Sequence, residues 1–90
     1  MLDHAANAGT DRIAVLVRGL LAKRAIERPL GCDDSLAEAG LSSLDIVNLM
    51  VAVEAEFGLK IPNREMTPAN FRSIARITGL VAALLQRPAA

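Results

Sequence analysis

Apolar residues recur with helical spacing in three stretches, and no segment alternates with the period of a strand. In the first, DRIAVLVRGLLAKRAIE over residues 11–27, the residues Ile13, Leu16, Val17, Leu20, Leu21 and Ile26 fall near one stripe. Thr10 is placed to cap its start, and Pro29 ends it. Gly19, inside the stretch, is expected to mark close packing. In the second, SLDIVNLMVAVEAEF over 43–57, Ile46, Leu49, Met50, Val53 and Phe57 form a stripe to be buried, and Gly58 follows as a C-terminal stop. A second face of this helix, Leu44, Asn48, Val51, Ala52 and Ala55, is uncharged, with Val47 lying between the two. A small domain rarely buries two sides of one helix, so part of this face is expected to be exposed. In the third, IARITGLVAALLQ over 74–86, Ile74, Ile77, Val81, Leu84 and Leu85 read as core, Ser73 as cap and Pro88 as stop.

The connections are unequal. Residues 28–41, RPLGCDDSLAEAGL, form a long loop with one helical turn near 35–39, held to the core by Leu30, Leu36 and Leu41. Residues 59–66 tuck in Leu59 and Ile61, and Thr67-Pro68 is a helix-start signal for a short element over PANF. The expected fold is all-α: an antiparallel four-helix bundle of three longer helices and one short one, with a long loop after the first. Residues 10–87 would form the domain, and residues 1–9 a flexible tail.

A chain of 90 residues is one small domain. Aromatics are 2% of it, Phe57 and Phe71 alone, which excludes a base-stacking nucleic-acid surface. The formal charge is zero but unevenly placed: residues 1–26 carry +2, residues 27–58 carry −6 and residues 59–90 carry +4. The acidic middle suggests a basic partner surface. Cys32 is the single cysteine, so no internal disulfide can form and a reducing, cytoplasmic location is expected. No run reaches membrane-spanning length, and the N-terminus lacks the pattern of a signal peptide.

The side chains do not assemble an enzyme. The only histidine, His4, has no partner in its neighbourhood, nothing close in sequence activates Cys32, and Asp33-Asp34 lacks the alternating oxygen ligands of a calcium loop. Arg72 and Arg76 could touch phosphate but read as a polar helix face. There is no glycine-rich phosphate loop.

The decapeptide GLSSLDIVNL, residues 40–49, is where chemistry remains. Ser42 and Asp45 have the spacing of a capping box. With Ser42 as N-cap, Ser43 is the first helical residue and its hydroxyl has no structural duty. It would stand at the positive end of a helix dipole, where a phosphate is favoured, beside the apolar Leu44. Such a serine suits a phosphate-linked group presented to another protein. A start one residue later would instead make Ser43 the cap.

GLSSLDIVNLMVAVEAEFGLKIP resembles the centre of acyl and peptidyl carrier proteins. Their attachment motif, G-x-D-S-L, opens the second helix of a four-helix bundle, and an E-x-x-F-G-x-x-I-P-like stretch closes it, here EAEFGLKIP over 54–62. The resemblance covers residues 11–86. It implies a protein that is not itself an enzyme, with 4′-phosphopantetheine transferred from coenzyme A to Ser43 by a phosphopantetheinyl transferase. Leu44 and Asp45 match residues that help meet partners, and Asn48, Val51, Ala52 and Ala55 would extend that face.

Two departures shape the expectation. Ser42 replaces the family's usual Asp, and Asn48 and Ala55 stand where fatty-acid carriers often have acids. The resemblance therefore points to a specialised, free-standing, monomeric carrier in a lipid or secondary-metabolite pathway, serving acyl- or aminoacyl-activating and acyl-transferring enzymes. TPANFRSI resembles the third-helix region of carriers paired with such dedicated activating enzymes. The load, fatty acyl, hydroxyacyl, polyketide or aminoacyl, is left open; Gly19, Ala52 and Gly79 could line a chamber for a long chain. The other reading is an unmodified helical module that binds a partner along the Leu44/Val51/Ala55 stripe.

Overall fold

A computed structural model describes residues 4–86. They form helix α1 (His4–Lys23), a single turn α2 (Leu36–Ala39), helix α3 (Ser43–Phe57), a 3₁₀ turn (Asn63–Glu65) and helix α4 (Ile74–Gln86). The described residues are thus all-helical, as the hydrophobic spacing requires.

Helix α1 packs on both α3 and α4. Its Arg12 meets Glu56 near the end of α3, and Arg24, the residue just after α1, meets Asp45 at the start of α3. The two helices therefore run antiparallel. Ile13, Val17 and Leu21 of α1, Leu49 and Val53 of α3, and Ile74, Ile77 and Val81 of α4 meet in one core. Phe71, Leu36, Leu41 and Ile61 close it from the loops. These loop anchors explain how a long connection stays ordered: each buries an apolar side chain that the three long helices alone would leave wet.

The caps follow the sequence signals. Ser35 Oγ accepts the Glu38 N–H at the start of α2, and Ser73 Oγ accepts the Arg76 N–H at the start of α4. Gly58, at φ 61 and ψ 40, ends α3, and its N–H donates to the Glu54 carbonyl. The Glu54 carboxylate then accepts the Ile61 N–H at 2.8 Å. So the stretch from Glu54 to Pro62 is a stop signal: glycine turns the chain, the acid catches the returning backbone, and Ile61 enters the core.

Several expectations are corrected. Helix α1 begins at His4, not after Thr10, so residues 4–9 continue the helix. The short helix expected over 68–71 is a hydrogen-bonded turn, with Thr67 Oγ1 accepting the Asn70 N–H. Too few apolar positions follow Pro68 to bury a further helical turn. The fourth, short helix is instead α2, and a 3₁₀ turn occupies 63–65. A Cβ at Gly19 or Gly79 would meet nothing within 4 Å, so neither glycine marks tight packing. Leu85, expected in the core, is 57% exposed, while its neighbour Leu84 packs against the core. Cys32 is exposed. Pro88 lies outside the described residues.

Candidate functional site

The start of α3 is a closed polar circuit. Ser42 has extended backbone, φ −82 and ψ 172, and its Oγ accepts the Asp45 N–H at 3.2 Å. The Asp45 carboxylate returns the favour, accepting the Ser42 N–H at 2.9 Å and the Ser42 hydroxyl at 3.1 Å. This is the capping box that the S-x-x-D spacing predicts. From α1's end, Arg24 grips the same carboxylate. Its Nε donates to Oδ1 at 3.0 Å and Oδ2 at 3.1 Å, and its Nη2 donates to Oδ1 at 2.6 Å. Hydrogen bonding by Arg24 above all, and then by the Ser42 amide, lowers the Asp45 pKa to about 2. The same pair raises the pKa of Arg24.

Ser43 stands apart from this circuit. It is the first residue of α3, it is exposed, and no described residue hydrogen-bonds its hydroxyl. The N-terminal amides of a helix of 15 residues favour an anion there. Beside it lies a cleft of about 660 Å³. Ile46, Val47 and Met50 of α3 form one wall, Ala37, Glu38 and Leu41 a second, and Met66, Phe71 and Arg72 a third. The Leu36 N–H donates to the Arg72 carbonyl at 2.8 Å, which ties the second wall to the third. An esterifiable hydroxyl at a helix start, opening on a mainly apolar cleft, fits a phosphodiester followed by a flexible amide-rich arm.

The face expected to meet partners is sorted by the structure. Leu44 and Val51 are 64% and 59% exposed, and Asn48 and Ala55 are exposed with them. Val47, 50% exposed, joins them on the Ser43 side. Ala52 is half-buried and lines a groove toward α1 with Gly19 and Asn48. Asp45 does not belong to this face. It is 3% exposed and committed to Ser42 and Arg24, because an acid at the third position of a helix turns back onto the cap. The residues that sequence reading missed are Arg24 and, in the third wall of the cleft, Met66 and Phe71; Arg72, read as part of a polar helix face, instead precedes α4 and lines the cleft. Arg24 is one of three cations in or just after the end of α1, with Lys23 and Arg18, and only the turn of the helix selects it. Phe71, one of two aromatics in a chain otherwise built of aliphatic residues, was the available signal for that wall.

Among the described residues no helix is long and apolar enough to cross a membrane, and no group of three or more His, Cys, Asp or Glu could hold a metal ion.

Comparison with known proteins finds relatives over most of the chain. The model of the family described as "Phosphopantetheine attachment site" matches residues 11–81. "Aminoacyl carrier protein 1" of Bradyrhizobium diazoefficiens is 42% identical over 76 residues, which span 84% of either chain. "Aminoacyl carrier protein 2" of the same organism is 39% identical over 71 residues, 79% of this chain and 80% of that one. In solved structures, the fold is similar to a chain in the crystal structure of Bradyrhizobium japonicum glycine:[carrier protein] ligase complexed with glycylated carrier protein. The TM-score is 0.75 at 34% identity, covering 81% of this chain and 97% of that one. The same ligase with its cognate carrier protein and an analogue of glycyl adenylate gives a TM-score of 0.77 at 34% identity, covering 84% of this chain and 97% of that one.

Proposed function

The chain belongs to the carrier-protein family that bears the phosphopantetheine attachment site, and on that premise we propose that Ser43 is its attachment residue and an aminoacyl group its load. The observation that carries the first part is the division of labour between two adjacent serines. Ser42 and Asp45 satisfy the helix start, and Ser43, one residue on, keeps an exposed hydroxyl. A phosphopantetheinyl transferase needs such a hydroxyl as nucleophile toward the pyrophosphate of coenzyme A, where its oxygen would bond the pantetheine-side phosphorus, lose its proton and release 3′,5′-ADP.

The prosthetic group of the family is 4′-phosphopantetheine; when attached, it supplies the thiol on which a load is held as a thioester. This chain's own part is to hold the attachment point rigidly, to favour the phosphate at the α3 N-terminus and to offer the partner a face. No side chain here needs to catalyse: the tether raises the local concentration of the load at each partner site. The domain that does this is taken as residues 10–87, acting as a monomer in the cytoplasm; the family match over 11–81 supports the core of that span.

Among the loads the sequence left open, the aminoacyl group is supported by the two relatives and by both ligase complexes. Gly19 and Gly79 face open space and outline no interior chamber, so a long-chain lipid load finds no support in them. The partner is then an aminoacyl-activating ligase, met through Leu44, Val47 and Val51 with Asn48 and Ala55 around them.

The test is loading. The phosphopantetheinylated protein, ATP, a labelled small amino acid such as glycine, and a glycine:[carrier protein] ligase should give a protein-bound label released by hydroxylamine. Ser43→Ala should give none. Label on a fatty acid but on no amino acid would replace the aminoacyl load with an acyl one.

A further inference from the structure

Helix α3 has two serines with which to start, and the chemistry of Ser43 depends on which one is used. With Ser42 as N-cap, the third helical residue is Asp45, which completes the box. One residue later, Ser43 would be the cap, Ile46 would stand third with no acceptor to return, and the Ser43 hydroxyl would be consumed by an amide. Serine's own preference for the cap position cannot choose between them, because both starts use a serine.

Arg24 distinguishes them. Asp45 is buried, and its carboxylate is matched only when Asp45 is the third residue, where Arg24 binds both oxygens. In the later start Asp45 would be the second residue and would leave this pairing, and a buried carboxylate without its cation is strongly disfavoured. Arg24 is itself well fixed. It is the residue at which α1 stops: the Ala25 N–H donates to the Ala22 carbonyl at 3.0 Å and the Ile26 N–H to the Leu21 carbonyl at 2.9 Å, with Ala25 left-handed at φ 56. Ile26 then packs against Gly40, where a Cβ would lie 2.9 Å from Ile26 Cδ1. The end of α1 and the start of α3 are thus held together two residues beyond Arg24 and two before Ser42, independently of the ion pair.

From this the geometry points to Arg24 as a positioning residue for modification of Ser43: its grip on Asp45 fixes the α3 start at Ser42 and keeps the attachment hydroxyl out of the cap. The inference rests on the reading of Ser43 as the attachment site. It also gives a reason why the chain tolerates Ser at position 42, where the family motif has Asp: an aspartate would define the start by itself, and here a cation from α1 does so.

Three variants test it: Arg24→Ala, Arg24→Ala with Ser42→Asp, and Ser42→Ala. Two readouts are needed: kcat/KM for transfer of phosphopantetheine to Ser43, and hydrogen exchange at the Asp45 amide in the unmodified protein. Arg24→Ala should lower both kcat/KM and Asp45 protection by about fivefold, the scale of one lost cap. Adding Ser42→Asp should restore both, which a merely structural role of Arg24 would not allow. Ser42→Ala removes the cap oxygen but keeps the Arg24–Asp45 pair, so it should lose about the fivefold of one cap and no more, with modification still at Ser43, whether or not Arg24→Ala folds. The inference is overturned by a Ser42→Ala protein slowed more than that, by Arg24→Ala with unaltered Asp45 protection, or by failure of Ser42→Asp to rescue. A wild-type protein that accepts no phosphopantetheine overturns the attachment reading itself, and this inference with it.

Discussion

Arg24 closes α1 and Asp45 opens α3, and their side chains meet at 2.6 Å across 21 positions of sequence. The carboxylate is almost fully buried while the guanidinium is half exposed. The pair therefore works as a latch operated from the surface: it joins two helices and neutralises the acid two positions after Ser43.

The latch should be visible in acid. Asp45 has its pKa lowered from 3.8 to about 2. A depressed carboxylate stabilises the fold above its unfolded pKa, and that contribution is lost as pH falls through the folded one. Thermal unfolding of wild type and Asp45→Asn should differ most from about pH 5 upward and converge toward about pH 2. Parallel curves at all pH values would mean that another group governs the acid limb.

Two left-handed residues should respond to substitution with opposite signs. Gly40 has φ 119 and Ala25 has φ 56. Gly40→Ala should destabilise by about 1–2 kcal/mol, mostly from backbone strain, since the crowded Ile26 Cδ1 is a movable side-chain end. Ala25→Gly should stabilise by about 0.5 kcal/mol, the relief of strain less the entropy of a freer unfolded chain. Denaturant midpoints for the two proteins measure this directly.

Glu54 is a structural acid in a stretch that looks like a signature of function. Its carboxylate accepts the Ile61 N–H, and Ile61 is 2% exposed. Glu54→Ala should cost about 1–2 kcal/mol by orphaning that amide, and Glu54→Gln should cost clearly less because an acceptor remains. Equal losses in urea titrations would show that charge, not the hydrogen bond, is what matters at this position.

Much of this was legible in the chain because it is local. Caps at Ser42 and Ser73, the stop at Gly58 and the turn at 35–39 each depend on residues within about four positions. The α1 start was misjudged because helix propensity in AANAG, with its glycine and no apolar stripe, is weak, and helix continuation was decided by attachment to an already formed helix. The turn at 68–71 carried a valid start signal, but Phe71 alone offered a face to bury. At the site, the S-x-x-D spacing announces Asp45 as a cap acid, but not that it is buried, so the resemblance also gives it a partner role that the structure removes. The cation that draws it inward comes from another helix, and long-range pairing leaves no periodic trace.

The apolar face should separate binding from folding. Leu44→Ala and Val51→Ala remove exposed side chains, so unfolding should stay within about 0.5 kcal/mol of wild type. Loading by an aminoacyl-activating enzyme should nevertheless fall by about tenfold in kcat/KM, as expected for exposed apolar anchors at an interface. Unchanged loading of both variants would move the docking face elsewhere on the domain.

The most direct measurement is the mass and site of modification after incubation with coenzyme A and a phosphopantetheinyl transferase. The account predicts a gain of one phosphopantetheinyl group, mapped by fragmentation to Ser43, abolished in Ser43→Ala and retained in Ser42→Ala. A group mapped to Ser42, or a protein that gains none, would contradict it.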